Sequence, residues 1–204
     1  MMFHEKRFGA PAALALLLAL PGCISFGGKP PAELLSLDAA HKVAPGTTRS
    51  VAAGTTITVA DPDAPKMLDT VRVPVRITPT SLAYVTKVQW ADTPRHLFQK
   101  LLSETIAATS DRIVLDPGQY SADAGQRLMG ELVDFGLDEA SNSAIVTYDA
   151  IIAGPGGTAI ARQRFTASAP VGGKIDANSI GAPLNIAANK VASDVSAWVT
   201  TAGR

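Results

Sequence analysis

AIVTYDAIIAGPGGTAIARQRFTAS, residues 144–168, decides the fold. Val146, Tyr148, Ala150 and Ile152 occupy alternate positions, as do Ala161, Gln163, Phe165 and Ala167, so each half shows one mostly apolar face at the two-residue period of a strand. Gly154-Pro155-Gly156-Gly157 between the halves is a turn sequence. The reading is a hairpin of strands at 144–152 and 158–168. A further strand over 126–137 makes an antiparallel meander, and 113–115 adds a short one.

Working outward, the period changes from two to three and four. After Asp92-Thr93-Pro94, a helix start with Pro at the first position, Leu97, Phe98, Leu101, Leu102 and Ile106 form one apolar stripe ending near Thr109. At the other end Leu184, Ala187, Ala188, Val191, Val195, Trp198 and Val199 repeat at the same spacing, predicting a long C-terminal helix across the sheet. Upstream, short strands are expected at Leu34–Leu37, at 55–60 and at 71–77, where Pro74 signals an edge or a break. His41–Gly54 reads as a loop, Asp61-Pro62-Asp63-Ala64-Pro65 as a turn and 66–69 as one helical turn. Leu82–Val85 and Val88–Trp90 read as a hairpin. The order strands, helix, strands, helix predicts an α/β single domain, a mixed, partly antiparallel sheet covered by two main helices.

At the N-terminus, His4, Lys6 and Arg7 precede an apolar run, Ala10–Leu20, which ends in Leu20-Pro21-Gly22-Cys23. Eleven helical residues rise only ~16 Å against a ~30 Å hydrocarbon core. The run is therefore a signal segment, residues 1–22. An aliphatic residue, two small ones and Cys make a lipoprotein cleavage box; Leu20 and Gly22 satisfy it and Pro21 departs from it. Cys23, the only cysteine, is thus the expected lipidation site. Its acyl chains would be the sole attached group, with no cofactor and no metal. At ~0.8 kcal/mol per buried methylene, even two chains hold a protein stably to a bilayer. Ile24 in place of the Asp that favours inner-membrane retention points to the outer membrane, facing the periplasm. Residues 23–31, with Gly27-Gly28-Lys29-Pro30-Pro31, read as the lipidated Cys and a short tether, and 32–204 as the domain.

Loss of Glu5, Lys6 and Arg7 with the signal leaves 16 basic and 17 acidic residues, a balance that gives no electrostatic reason to expect nucleic acid. Catalytic patterns are missing: no HExxH, no Gly-x-Ser-x-Gly, and Gly172-Gly173-Lys174 is followed by Ile175 instead of Ser or Thr. Asp61 and Asp63 suit a solvated turn, and His96 a surface position in the first turn of its helix. Trp198 continues an apolar stripe and belongs to the core; Trp90 stands between core and contact.

The segments 69–76 (DTVRVPVR), Leu82-Ala83-Tyr84 and Trp90-Ala91-Asp92, with the Leu97–Leu102 helix, resemble the ABC-type transport auxiliary lipoproteins, the family that includes paraquat-inducible protein C. The resemblance covers most of residues 32–200. The chain departs from the family in lacking tyrosines in its first strand and in having Gln89 where a basic residue commonly precedes the Trp. The resemblance implies an anticodon-binding-domain-like arrangement, no catalytic residues, and partnership with an MCE-domain protein and an ABC permease/ATPase complex in intermembrane lipid transport. A lipid-anchored periplasmic hydrolase, or an outer-membrane assembly lipoprotein, is the alternative. Because Tyr84, Val85, Val88 and Trp90 cannot all face one core from a tight hairpin, Tyr84 and Trp90 are assigned to contact with the MCE-type partner or with another copy of the chain, a possible homo-oligomer.

Overall fold

The computed structural model describes residues 1–2, 33–52, 55–118, 125–154 and 159–202. Cys23, the tether, the rest of the signal segment and residues 155–158 of the predicted turn lie outside the described residues. The chain divides into Met1–Pro30 and Pro31–Arg204, and the second unit is the domain described below.

Alternation of apolar residues becomes a seven-stranded sheet: β1 (Ile57–Val59), β2 (Pro74–Thr78), β3 (Ser81–Tyr84), β4 (Val114–Leu115), β5 (Gln126–Asp138), β6 (Ser143–Ala153) and β7 (Ala159–Pro170). Helix α1 (Pro94–Thr109) falls between β3 and β4, and α2 (Gly181–Ala202) closes the chain. The long strand β5 is the axis. Along one edge it pairs with β6 antiparallel, and β6 pairs in turn with β7. Along its other edge it holds two short parallel neighbours end to end, β1 beside Gln126–Leu128 and β2 beside Leu137–Asp138. A single bridge between Asp63 and Glu131 lies between them. β4 extends the sheet beyond β1, and β3 beyond β2.

Register explains which face is dry. Leu132 sits opposite Tyr148, which sits opposite Phe165, while Phe135 sits opposite Val146. Leu132 and Phe135 are three residues apart, so a regular strand would point them to opposite faces. A bulge between Leu132 and Asp134 inserts Val133 and turns both inward, where each is fully buried. Phe98 of α1 meets Phe135 and Tyr148 edge-to-face at 6.2 and 5.3 Å, and Trp198 of α2 meets Phe165 at 5.6 Å. Both helices therefore cover the same face. They touch through the hydroxyls of Thr109 and Ser196, 2.7 Å apart. Each fully buried Leu, Ile, Val or Phe contributes roughly 1.5–3 kcal/mol relative to exposure. The core side chains, with the apolar ones packed against them, run from Leu35 to Ala202, so the domain carries its own core.

Three expectations change. Leu34–Leu37 is no strand: Leu35 makes one bridge to Trp90, donating to Gln89 and accepting from Ala91. The chain then turns to α2, where the Asn185 and Asn189 side-chain amides accept from the N–H groups of Asp38 and Ala40 at 2.9 and 2.7 Å and take over the bonding of a ladder. β3 pairs with β2 across the 78–81 turn, not with Val88–Trp90. The later segment instead returns to the residues before β2, with Val85 N–H donating to Val73 and Trp90 N–H to Val71. Finally, Pro74 is neither an edge nor a break but the first residue of β2, where a missing N–H is tolerated. The helix start at Pro94 is as the sequence predicts, with extended backbone at Thr93 and the Thr93 N–H donated to the Asp92 carboxylate at 2.7 Å.

Candidate functional site

Tyr84 and Trp90, six residues apart, have different fates. Trp90 is 2 % exposed and meets Phe135 edge-to-face at 5.4 Å. Its assignment to an exposed contact is therefore corrected: the parallel bridge to Leu35 and the bond to Val71 fold this residue into the core. Tyr84 stays half-buried on β3, a strand paired on one side only. The Arg72 guanidinium lies 3.8 Å from its ring centroid, a cation–π arrangement, and its hydroxyl reaches the Met67 carbonyl only at 3.5 Å. Leu82, two residues away and hence on the same face of β3, is 41 % exposed. Tyr84, Leu82 and Arg72 are thus an accessible aromatic, aliphatic and cationic group side by side.

Charged groups on the helix-free face are paired with one another. Arg76 bonds Asp134 and stands 3.8 Å from Asp138. The Ser141 hydroxyl and N–H both donate to the Asp138 carboxylate, at 2.7 and 2.8 Å, and hold its carboxyl below the ordinary range. Asp149, nearly buried, accepts from Arg164 at 2.5 and 2.8 Å and from Arg162 at 3.0 Å. Those bonds, Arg164 foremost, outweigh desolvation and bring its carboxyl down to about 2. It is a fixed anion, unsuited to proton transfer near neutrality.

Around the start of α1, His96 Nδ1 lies 3.1 Å from Asp61 and Nε2 lies 3.7 Å from Asp92, while Arg95 reaches Asp61 and Asp69 at 3.8 and 3.5 Å. Both partners of this histidine are carboxylates and all are well exposed, so no nucleophile is presented to it. Among the described residues no three His, Cys, Asp or Glu side chains are arranged to hold a metal ion. Tyr148 is the remaining titratable group inside the core. Burial pushes its phenol up, which keeps it neutral.

On the helix-covered face of β2 and β3 the loop that leads into α2 leaves a groove of about 520 Å³. Val75, Ile77 and Ile175 are among its apolar lining residues, and Lys87, Lys174, Glu139 and Asp176 its charged ones. Sequence reasoning missed this site. Its parts come from 75–87, 139 and 174–178, which share no motif, and its one local oddity, Lys87 at φ +65°, is visible only in the structure.

The domain is an open mixed sheet with two helices on one face. The chain belongs to the family of ABC-type transport auxiliary lipoprotein components, whose match runs over residues 36–196. Membership places it in the cell envelope and associates it with ABC transport. Its fold is also that of a DUF330-family protein from Xanthomonas campestris, with a TM-score of 0.70 at 18 % identity over 84 % of this chain and 96 % of that one. An uncharacterized protein of solved structure is similar at a TM-score of 0.62 and 10 % identity, covering 82 % of this chain and 99 % of its own. No curated protein matches the sequence. Among the described residues no helix is long and apolar enough to cross a membrane.

Proposed function

We propose that this protein is a non-catalytic, lipid-anchored component of an ABC/MCE-type system moving lipids between membranes, held through acyl chains on Cys23 to the outer membrane and facing the periplasm. The observation that carries the reading is the family match over nearly the whole folded domain, coupled to a cleavage box, Leu20–Cys23, that ends thirteen residues before the match begins. In this role the sheet and helices are a rigid platform and need no cofactor. Tyr84, Leu82 and Arg72 supply the contact for an MCE-domain partner or for a second copy of the chain. A half-buried Tyr presents its ring area without the cost of ordering a long side chain, and Arg and Tyr are the residue types enriched at binding hot spots.

Affinity capture of the tagged full chain from detergent-solubilised membranes, read by mass spectrometry, tests this. Recovery of an MCE-domain protein with a permease and its ATPase is expected. An intact chain that brings down none of these, or that brings down cell-wall enzymes in their place, overturns the proposal.

A further inference from the structure

β7 is the outermost strand of the sheet, at the far edge from the one that carries Tyr84. It pairs with β6 alone, in a register that is unbroken from Ala161 to Pro170. Among the described residues no strand, turn or loop bonds to its outer edge, so a row of N–H and C=O groups faces outward unpaired. Open edges of this length are ordinarily protected by a bulge, a proline or a charged side chain reaching over them. Between Ala161 and Ala169 β7 has none of the three. The ladder is regular, no proline interrupts it, and its two charged side chains lean the other way. Arg164 and Arg162 reach back over β6 to the Asp149 carboxylate, at 2.5 and 3.0 Å.

The sequence of β7 complements itself. A two-fold axis normal to the sheet at Phe165 lays an antiparallel copy along the edge. On the helix-covered face it sets Phe165 against Phe165, Gln163 against Ala167 and Ala161 against Ala169. On the other face Arg164 meets Thr166 and Arg162 meets Ser168, so each guanidinium faces a hydroxyl and no like charges meet. Moving the axis back to Arg164, Gln163 or Arg162 puts arginine opposite arginine, which is destabilising, and moving it forward shortens the ladder. The helix layer accepts the same axis. α2 lies over β6 and β7, with α1 on its side toward β1, and its half-buried Trp198 packs on Phe165 near the open edge. At a strand spacing of ~4.8 Å the two copies of α2 come to about 10 Å, a distance at which helices pack.

We propose that β7 is a dimer interface, along which two copies of this chain join edge to edge over residues 161–169 into one continuous sheet. The interface is isologous, the commonest symmetry among soluble oligomers. It leaves Tyr84, Leu82 and Arg72 open at the opposite edge.

The test uses the full chain. In membranes, Arg162→Cys and Ser168→Cys combined in one chain are expected to give a disulfide-linked dimer on oxidation, because the two positions face each other across the axis and lie too far apart within one strand to link. Neither substitution alone should link, and Arg162→Cys combined with Thr166→Cys, two residues out of register, should not. In detergent, the wild type is expected to sediment as a dimer or an even multiple. Thr166→Lys, which sets an ammonium opposite Arg164 twice about the axis, should weaken association roughly tenfold, whereas Thr166→Glu should not. A monomeric wild type, linking in the single variants or the out-of-register pair as strong as in the matched pair, or equal loss in the Lys and Glu variants overturns the proposal. The wild-type measurement depends on no variant folding, and none of these readouts depends on capture of an MCE-domain protein.

Discussion

Replacing Trp90 tests whether its indole is structure or surface. The side chain is 2 % exposed against Phe135, with its Nε1 donor lacking a hydrogen-bond partner among the described residues. Trp90→Ala removes the ring and leaves a cavity, a loss of about 3–5 kcal/mol. At roughly 2–4 °C per kcal/mol for a domain of this size, the melting temperature should fall by about 6–20 °C. Trp90→Phe is the more informative change. It keeps an aromatic partner for Phe135, worth about 0.5–1.5 kcal/mol, and deletes a buried donor whose lack of a partner costs about 1–3 kcal/mol. These terms offset the smaller ring, and the net loss should stay below about 1.5 kcal/mol. Tyr84→Ala, with a half-exposed ring and one cation–π contact, should lose about 1–2 kcal/mol while weakening partner capture more than tenfold. Circular-dichroism melts of the three variants beside the capture assay read all of this. A Trp90→Ala protein that melts like Tyr84→Ala would refute the core placement.

Two further outcomes follow from the sheet. Asp149 has its carboxyl lowered to about 2 from an ordinary value near 3.9, so its ion pairs stabilise the fold fully above about pH 4 and lose that contribution as pH falls toward 2. Both arginines are more than half exposed, so screening limits the effect, and Asp149→Asn should cost about 1–2 kcal/mol at neutral pH, a gap that closes toward pH 2; a pH-independent gap in urea melts contradicts this. Gly130 is packed so tightly that a Cβ there would stand 1.9 Å from the Asp149 carbonyl oxygen, whereas nothing approaches Gly118 within 4 Å. Gly130→Ala should therefore cost at least about 1–3 kcal/mol with Gly118→Ala near neutral, and equal midpoints for the two would tell against the observed strand spacing.

The parts of the fold legible in the sequence are those with a long, unbroken period. The hairpin of 144–168, the strand before it and both helices carry enough alternating or three-and-four spaced apolar residues to declare themselves, as does Pro94 at its helix start. The short strands β1 to β4 lie close to where the sequence places them, but their pairing was not legible, because a stretch such as Val88–Trp90 fits several partners and tertiary contacts choose among them. The indole shows this most directly. Tight-hairpin geometry argued for its exposure, but the chain makes no hairpin there, and one bridge to Leu35 sends the ring inward. The Val133 bulge, which reconciles Leu132 with Phe135, also leaves no mark in composition. Of the candidate site, Tyr84 could be named from sequence because an aromatic beside a predicted turn is conspicuous, while the groove could not, since its charges converge from three separated segments.

Everything said of membrane proximity depends on Cys23, and labelled palmitate fed to cells producing the full chain tests that dependence most directly. The account predicts incorporation into the wild type and none into Cys23→Ser, which should be released or keep its signal segment uncleaved. A wild-type chain that matures and folds without taking up label would contradict it.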